Sequence, residues 1–186
     1  AVVIFAGIGF PMAIIKIFAK EQFAMSELAF GALVLPAAIG MAVFSVPMSK
    51  FGERLGRARA VHFGIGLCAA GLSVIAAGAF ASFLRTPLAL AVAGIPVGFG
   101  FLLAIPAWLA SVSDIDPKRR AANLGAVMTA QGIGAIIGLP IGAQLYERMQ
   151  SVNPDFGRYS PFIGCALCVT AGWLISLKIL REPPKP

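Results

Sequence analysis

The chain alternates between long apolar runs and short polar connectors. Each run holds roughly 20 residues, the length that an α-helix needs to cross a bilayer, and none shows the period-2 alternation of a strand. Because only helices and closed barrels satisfy their backbone polar groups in lipid, the runs predict an all-α membrane protein. The predicted spans cover about 1–18, 28–48, 60–83, 87–112, 121–145 and 159–180, and residues 181–186 form a short cytoplasmic tail.

The composition agrees with a membrane location. Hydrophobic residues make up 59% of the chain and charged residues only 12%, whereas ordinary soluble domains carry about 25% charged residues. The formal net charge of +7 would suit a nucleic-acid-binding protein. However, the basic residues lie between apolar runs and not on one solvated face, so membrane lipid, and not nucleic acid, is the expected partner.

The sequence contains no cluster of catalytic or metal-binding residues. Cys68, Cys165 and Cys168 all lie within apolar runs, and the single histidine, His62, is far from the last two in sequence. Cys165 and Cys168 have CxxC spacing, but a metal or redox site would need further ligands. We interpret the cysteines as small buried apolar residues and expect no metal, no cofactor and no enzymatic activity.

Lysine and arginine are distributed unequally between the two predicted sides. The side that carries more of them should be cytoplasmic, and six spans then place both termini there. Residues 1–18 lack the charged region of a signal peptide, so we expect the chain to begin within or at the edge of a first span, with a segment missing upstream. Ten basic residues lie on one side, namely Lys50, Arg54, Arg57, Arg59, Lys118, Arg119, Arg120, Lys178, Arg181 and Lys185. Five lie on the other, namely Lys16, Lys20, Arg85, Arg148 and Arg158.

Glycine and proline are frequent inside the predicted spans. Gly134, Gly138 and Gly142 form a stripe that would allow another helix to approach closely, and Pro140 lies between them. The pair Gly94 and Gly98 predicts the same for the fourth span. Glycine and proline are also simply common in membrane helices, but the stripes fit a protein whose helices rock or gate.

The basic stretch over residues 49–57 resembles a known signature. It reads Ser-Lys-Phe-Gly-Glu-Arg-Leu-Gly-Arg and is similar to G-x-L-x-D-R-x-G-R-R, which lies between the second and third helices of each half in the major facilitator superfamily. Arg54, Gly56 and Arg57 match the signature, and Glu53 replaces its aspartate with the same charge. The residues that we assign to a gating motif are Ser49, Gly52, Glu53, Arg54, Gly56 and Arg57.

Other segments agree with the same family. Residues 113–120, followed by Gly125, resemble the loop between the fourth and fifth helices of a half. Residues 134–142 are similar to the glycine-proline motif of the drug antiporters, although Leu139 separates Gly138 from the proline. The absence of an arginine in the fourth span and the short proline-rich tail favour the C-terminal half, helices seven to twelve.

The resemblance implies a secondary active transporter of a bacterial inner (plasma) membrane. It would move a small, amphipathic solute by alternating access, together with an N-terminal six-helix half from the same chain or a second copy. Proton coupling would reside in that half, because none of the eight acidic residues lies within a predicted span. The alternative is a non-transporting membrane subunit or assembly factor of a larger complex that has the same fold.

The resemblance also indicates which side chains face a substrate. Glu53 would act in a gate, or the signature would only fix the topology of its turn. Lys16 either extends to water from the end of its span or attracts an anionic substrate. Polar side chains on the fifth span could equally form hydrogen bonds between helices. The candidate cavity residues are Phe10, Lys16, Trp108, Asn123, Thr129 and Gln131.

Overall fold

A computed structural model describes residues 1–180, and the predicted tail lies outside the described residues. Within the described part the chain forms six α-helices and no β-strand, and all six are long and apolar enough to cross a membrane. The predicted all-α fold with six membrane-length helices is therefore confirmed. The helices are α1 (Val2–Phe23), α2 (Glu27–Leu55), α3 (Arg57–Ala77), α4 (Pro87–Ser113), α5 (Arg120–Val152) and α6 (Pro154–Ile179).

Several helices extend into segments that the sequence pattern assigned to connectors. The first ends at Phe23 instead of residue 18, the second at Leu55 instead of residue 48, and the fifth at Val152 instead of residue 145. Lys, Arg, Glu and Gln are good helix formers, and their side chains reach water from a helix end that leaves the bilayer. An apolar run thus marks the embedded part of a helix and not its ends.

The third helix is shorter than predicted. It ends at Ala77 instead of residue 83, and a side chain from the connector binds the carbonyl groups of the two residues that directly follow the helix. Arg85 donates hydrogen bonds to the carbonyl oxygens of Gly78 and Ala79, at 2.8 and 3.1 Å. A cation at a helix C-terminus is favourable because the exposed carbonyls carry partial negative charge.

Three helices begin at residues whose side chains cap them. Ser26 and Thr86 accept hydrogen bonds from backbone N–H groups of the first turns of α2 and α4, and Asn153 does the same for α6. Pro87 and Pro154 follow two of these caps, at a position where proline costs no hydrogen bond. The local sequence therefore specifies where these helices start.

The helices pack as two groups that share α6. One group is α1 with α5 and α6, and the other is α3 with α4 and α6, while α2 packs mainly against α4. Gly52 is the only buried residue of α2. Most of α2 and much of α5 therefore present apolar side chains to their surroundings.

An aromatic core lies at the end of the bundle where α1 ends and α6 begins. Phe18 is fully buried, and its ring centroid lies 4.8 Å from that of Phe162 and 5.1 Å from that of Tyr159. Ile14 and Tyr146 belong to the same cluster. The opposite end of the bundle carries the basic residues of the α2–α3 and α4–α5 junctions and is less densely filled, as described below. We call it the basic end.

Candidate functional site

The gating motif is almost entirely helical. Ser49, Gly52, Glu53 and Arg54 lie in the last turns of α2, and Arg57 begins α3. A single residue joins the two helices, namely Gly56. Its φ of 92° lies in a region that residues with a Cβ rarely adopt, which explains the glycine in the motif. The predicted connector over residues 49–59 is thus reduced to one residue.

Gly52 sets the distance between α2 and α4. A Cβ added at this position would lie 3.2 Å from Cδ1 of Leu103 on α4 and 3.7 Å from Cβ of Ala60 on α3. Leu103 is itself buried. The small residue therefore lets the end of α2 approach the bundle at the point where the motif begins.

Arg57, the second arginine of the gating motif, pairs with a residue at the junction between α4 and α5. Arg57 forms a hydrogen-bonded ion pair with Asp114, and Arg120 lies 3.8 Å from the other carboxylate oxygen of Asp114. The hydrogen bond from Arg57 holds the pKa of the Asp114 carboxyl below its ordinary value. These groups are exposed, so the contact is weak in energy but joins the two junctions.

Glu53, the acidic residue of the gating motif, behaves differently from Arg57. Among the described residues, the carboxylate of Glu53 has no ion-pair or hydrogen-bond partner, and its side chain is exposed. Arg57 is engaged with Asp114, so it does not pair with Glu53.

A partly enclosed cavity of about 400 Å³ lies at the basic end. Its walls come from the beginning of α1 and α3, the end of α4 and α6, and one residue of α5. α1 and α4 have few or no direct contacts with each other, and both contribute residues to the cavity wall. The volume is within the range of small-molecule sites, about 300–1,000 Å³.

Two of the predicted cavity residues, Trp108 and Gln131, line this space. Most of the other lining side chains are apolar. Neither the indole N–H of Trp108 nor the amide of Gln131 has a hydrogen-bond partner among the described residues. By contrast, the indole of Trp173, beside the cavity, donates to the carbonyl oxygen of His62 at 2.9 Å. The cavity thus combines apolar walls with two unpaired polar groups.

The structure places the other predicted cavity residues elsewhere. Phe10 is buried between α5 and α6, beside Gly142 and Gly164, so it packs helices together and does not line the cavity. Lys16 is exposed on α1 and forms no ion pair within residues 1–180.

The remaining two residues lie on α5. Thr129 is exposed, and its hydroxyl donates to the carbonyl oxygen of Gly125 at 2.9 Å. Asn123 is partly buried, and its side-chain nitrogen is enclosed without a partner among the described residues. Neither residue lines the cavity.

The glycine stripe of α5 faces α1. Gly134, Gly138 and Gly142 approach the backbone of α1 so closely that a Cβ at any of them would overlap it, whereas Pro140 is exposed. On α4 the corresponding expectation for Gly94 is wrong, because no described atom lies within 4 Å of the Cβ that it lacks.

The close approach on α4 comes from another glycine. A Cβ at Gly64 of α3 would lie 2.6 Å from the carbonyl oxygen of Gly100. Gly98 faces only the side chain of Met41 on α2, at 3.7 Å. Sequence spacing identified a small-residue stripe on α4 but not the face that packs.

A polar network at the opposite end was not predicted from the sequence. The hydroxyl of Tyr146 and the amide of Gln150 donate to Oε2 of Glu21, at 2.6 and 2.8 Å, and Nε of Arg158 lies 3.9 Å from the same oxygen. These residues tie the ends of α1, α5 and α6. The sequence contained one signal for this network. Glu21 and Arg158 carry opposite charges and lie in two connectors on the same predicted side of the membrane.

A second ion pair lies beside this network. Nη1 of Arg85 is 2.7 Å from Asp155 on the first turn of α6. Together with its bonds to the end of α3, this contact joins α3, the following connector and α6. Both ends of the bundle therefore carry ionic contacts between helices.

The three cysteines are free thiols, and Cys68 and Cys165 are buried. No group of three or more His, Cys, Asp or Glu residues within the described range is arranged to hold a metal ion. The Sγ atom of Cys68 lies 3.4 Å from the carbonyl oxygen of Val97 on α4. The thiols thus lie among helix-packing contacts.

Comparison with known proteins gives a single assignment. No curated protein and no solved structure matches the chain. The family model of the Major Facilitator Superfamily matches residues 1–186. With its six membrane-length helices and the signature at the α2–α3 junction, the chain belongs to the major facilitator superfamily.

Proposed function

We propose that this chain is the C-terminal half, helices seven to twelve, of a secondary active transporter that moves a small amphipathic solute by alternating access. The observation that carries the proposal is the cavity at the basic end, which is largely apolar and contains the unpaired polar groups of Trp108 and Gln131. Pockets of this kind bind small molecules that are mostly apolar with one polar end.

The proposed partner is an N-terminal six-helix half, from the same chain or a second copy. The exposed apolar side chains of α2 and α5 support it, among them Leu35, Val43, Ile136 and Ile141. Glu53, which has no partner among the described residues, would contact that half. Secondary transporters of this type rock one repeat against the other.

Two further parts of the proposal concern the membrane. Both termini would face the cytoplasm of a bacterium, because the basic end carries the arginine and lysine residues of two junctions. The coupling proton would be carried by the other half, since the acidic residues described here lie at helix ends and junctions.

The test begins with the intact mass of the protein purified from membranes. A mass near twice the 19.3 kDa of this chain is expected if the second half belongs to the same polypeptide. The purified protein is then reconstituted into liposomes, and an imposed proton gradient should drive accumulation of tritiated 4-phenylbutanamide, a small neutral amphipathic probe, above the leak of protein-free liposomes.

A contrary result would favour the alternative function. If the protein has a mass of 19.3 kDa, copurifies with unrelated subunits and accumulates no probe, the transporter proposal fails. A subunit or assembly factor with the same fold would then explain the exposed faces of α2 and α5.

A further inference from the structure

The cavity at the basic end has no charged side chain in its walls. Its lining residues on α1, α3, α4 and α6 are apolar or small, apart from Trp108, Gln131 and Ser176. The hydroxyl of Ser176 already donates to the carbonyl oxygen of Trp173 at 2.7 Å. Polar recognition in this cavity is therefore left to one indole N–H and one primary amide.

Lys16, the residue that the sequence suggested for anion recognition, lies outside the cavity. Lys16 is on α1, two helical turns beyond Ile8, which lines the wall. Arg57 and Arg120 at the basic end are held by Asp114. A carboxylate or ammonium group inside the cavity would lose its hydration without gaining an opposite charge, which is strongly unfavourable.

The two unpaired groups define the polar end of a ligand. The Trp108 indole can only donate, whereas the Gln131 amide both donates and accepts. A ligand with a carbonyl oxygen and an N–H or O–H group would satisfy both residues. Without such a ligand, neither side chain has a hydrogen-bond partner among the described residues.

We infer that this cavity selects uncharged solutes with an apolar body and one hydrogen-bonding end, and that Trp108 and Gln131 bind that end. The statement that the ligand is a transported substrate rests on the proposed function. Binding itself does not depend on transport. The inference also excludes an anionic substrate recognised by Lys16, and leaves the extension of this side chain to water.

The test measures binding of three probes that share one frame but differ in charge. Tritiated 4-phenylbutanamide, 4-phenylbutyrate and 4-phenylbutylamine are titrated by equilibrium dialysis against the purified full-length protein in detergent, with protein-free micelles as blank. The neutral amide should bind at least about tenfold more tightly than the anion or the cation, because each charged end would be desolvated without a partner.

Two variants on α1 form a matched pair. Ile8→Trp places a larger side chain at the cavity wall and should abolish binding of the amide, whereas Ile17→Trp, at an exposed position outside the cavity, should leave binding unchanged.

Because an enlarged side chain at residue 8 could disturb folding, Trp108→Phe and Gln131→Leu provide a second measurement. Each should weaken binding of the amide severalfold while the monodisperse peak in gel filtration is preserved.

Four outcomes would overturn the inference. The first is equal binding of the charged probes, the second is binding that survives Ile8→Trp, and the third is no binding of the amide up to its solubility limit. The fourth is amide binding that is unaffected by Trp108→Phe and Gln131→Leu, since any apolar chain, a lipid tail included, would then fill the cavity. Binding without gradient-driven accumulation would contradict only the proposed function, and accumulation without binding here would contradict only this inference.

Discussion

At the scale of single residues, the basic end depends on one carboxylate between two guanidinium groups. Asp114 joins Arg57 of the signature to Arg120 at the start of α5. The signature identified Arg57 from sequence, but its partner could not be identified, because the pairing depends on how α4 ends relative to α3. Asp114 and Asp116 were equally placed in the chain.

We expect the stabilising effect of this pair to disappear in acid. The Asp114 pKa is lowered in the folded protein from its ordinary value of 3.8, so the carboxylate stabilises the folded state above that pH and loses this effect as the pH falls through the lowered pKa. Asp114→Asn should lower the thermal midpoint at pH 7 by no more than about 2 °C, since the pair is exposed. The difference between wild type and variant should begin to shrink once the pH falls below 3.8 and should vanish below the lowered pKa.

Thermal unfolding in detergent between pH 7 and pH 3 measures this difference. Asp116→Asn is the matched control, because the closest basic group to Asp116 is Arg119 at 4.0 Å, whereas Asp114 is hydrogen-bonded to Arg57. A difference between wild type and Asp114→Asn that stays constant from pH 7 to pH 3 would contradict the assignment.

The type of a residue predicted only in part whether its side chain lines the candidate cavity. Aromatic and amide side chains on the fourth and fifth spans were expected to face a substrate, and Trp108 and Gln131 do line the cavity. Phe10 is of an equally suitable type but is buried against Gly142 and Gly164. Sequence identifies the helix and the chemistry of a residue, but the rotation of a helix about its axis follows from packing.

At the scale of helices, contact between α1 and α5 depends on glycine. Gly138 lies against the backbone of Ala6, and Gly9 of α1 lies against Gly138. In lipid, where helices gain nothing from apolar burial, such close backbone contact is a main source of association. The two helices should therefore tolerate no side chain at these positions.

We expect Gly138→Ala to destabilise the bundle by about 1–3 kcal/mol, the usual effect of overpacking. Gly132→Ala on the same helix is the control, because no described atom lies within 4 Å of its missing Cβ. The measurement is the thermal midpoint and the monodisperse fraction of each variant in detergent. Equal behaviour of the two variants would show that α1 and α5 do not meet at this face.

The network at the opposite end should contribute more than an exposed ion pair. Tyr146 is only 4% exposed and donates to Glu21 at 2.6 Å. Tyr146→Phe removes one hydrogen bond to a charged acceptor, which typically costs about 1.5–3 kcal/mol. We expect a loss near the lower end of this range, because Glu21 keeps its bond from Gln150.

Chemical denaturation of wild type and Tyr146→Phe provides the measurement. Gln150→Ala is a suitable comparison, because it removes the more exposed donor to the same oxygen and should have the smaller effect. A larger loss in Gln150→Ala than in Tyr146→Phe would contradict this ranking of the two donors.

At the scale of the whole molecule, the two ends of the bundle are built differently. Aromatic rings fill the end around Phe18, whereas the basic end contains the cavity. The six helices and the family could be predicted from apolar run length and one signature. The arrangement of the two ends could not be predicted from the sequence, because it depends on which faces of α1, α3, α4 and α6 meet.

Transport should depend on Glu53 more than folding does. Because Glu53 has no partner within residues 1–180, Glu53→Ala should reduce gradient-driven accumulation of 4-phenylbutanamide severalfold while the amount of protein inserted into membranes stays unchanged. Arg148→Ala, at the opposite end and without a described ion pair, is the control. Wild-type accumulation by Glu53→Ala would mean that this part of the signature only fixes topology.

The single glycine between α2 and α3 constrains length as well as conformation. Each residue added to a helix turns all that follows by about 100° and advances it by 1.5 Å. An insertion between Gly52 and Arg57 would therefore separate two contacts that now occur together, the approach of α2 to Leu103 and the pairing of Arg57 with Asp114. A deletion would separate the same two contacts, because it turns and shifts the following residues in the opposite direction. Apart from Gly52 and Gly56, side chains at this junction can therefore be exchanged more readily than the number of its residues can be changed.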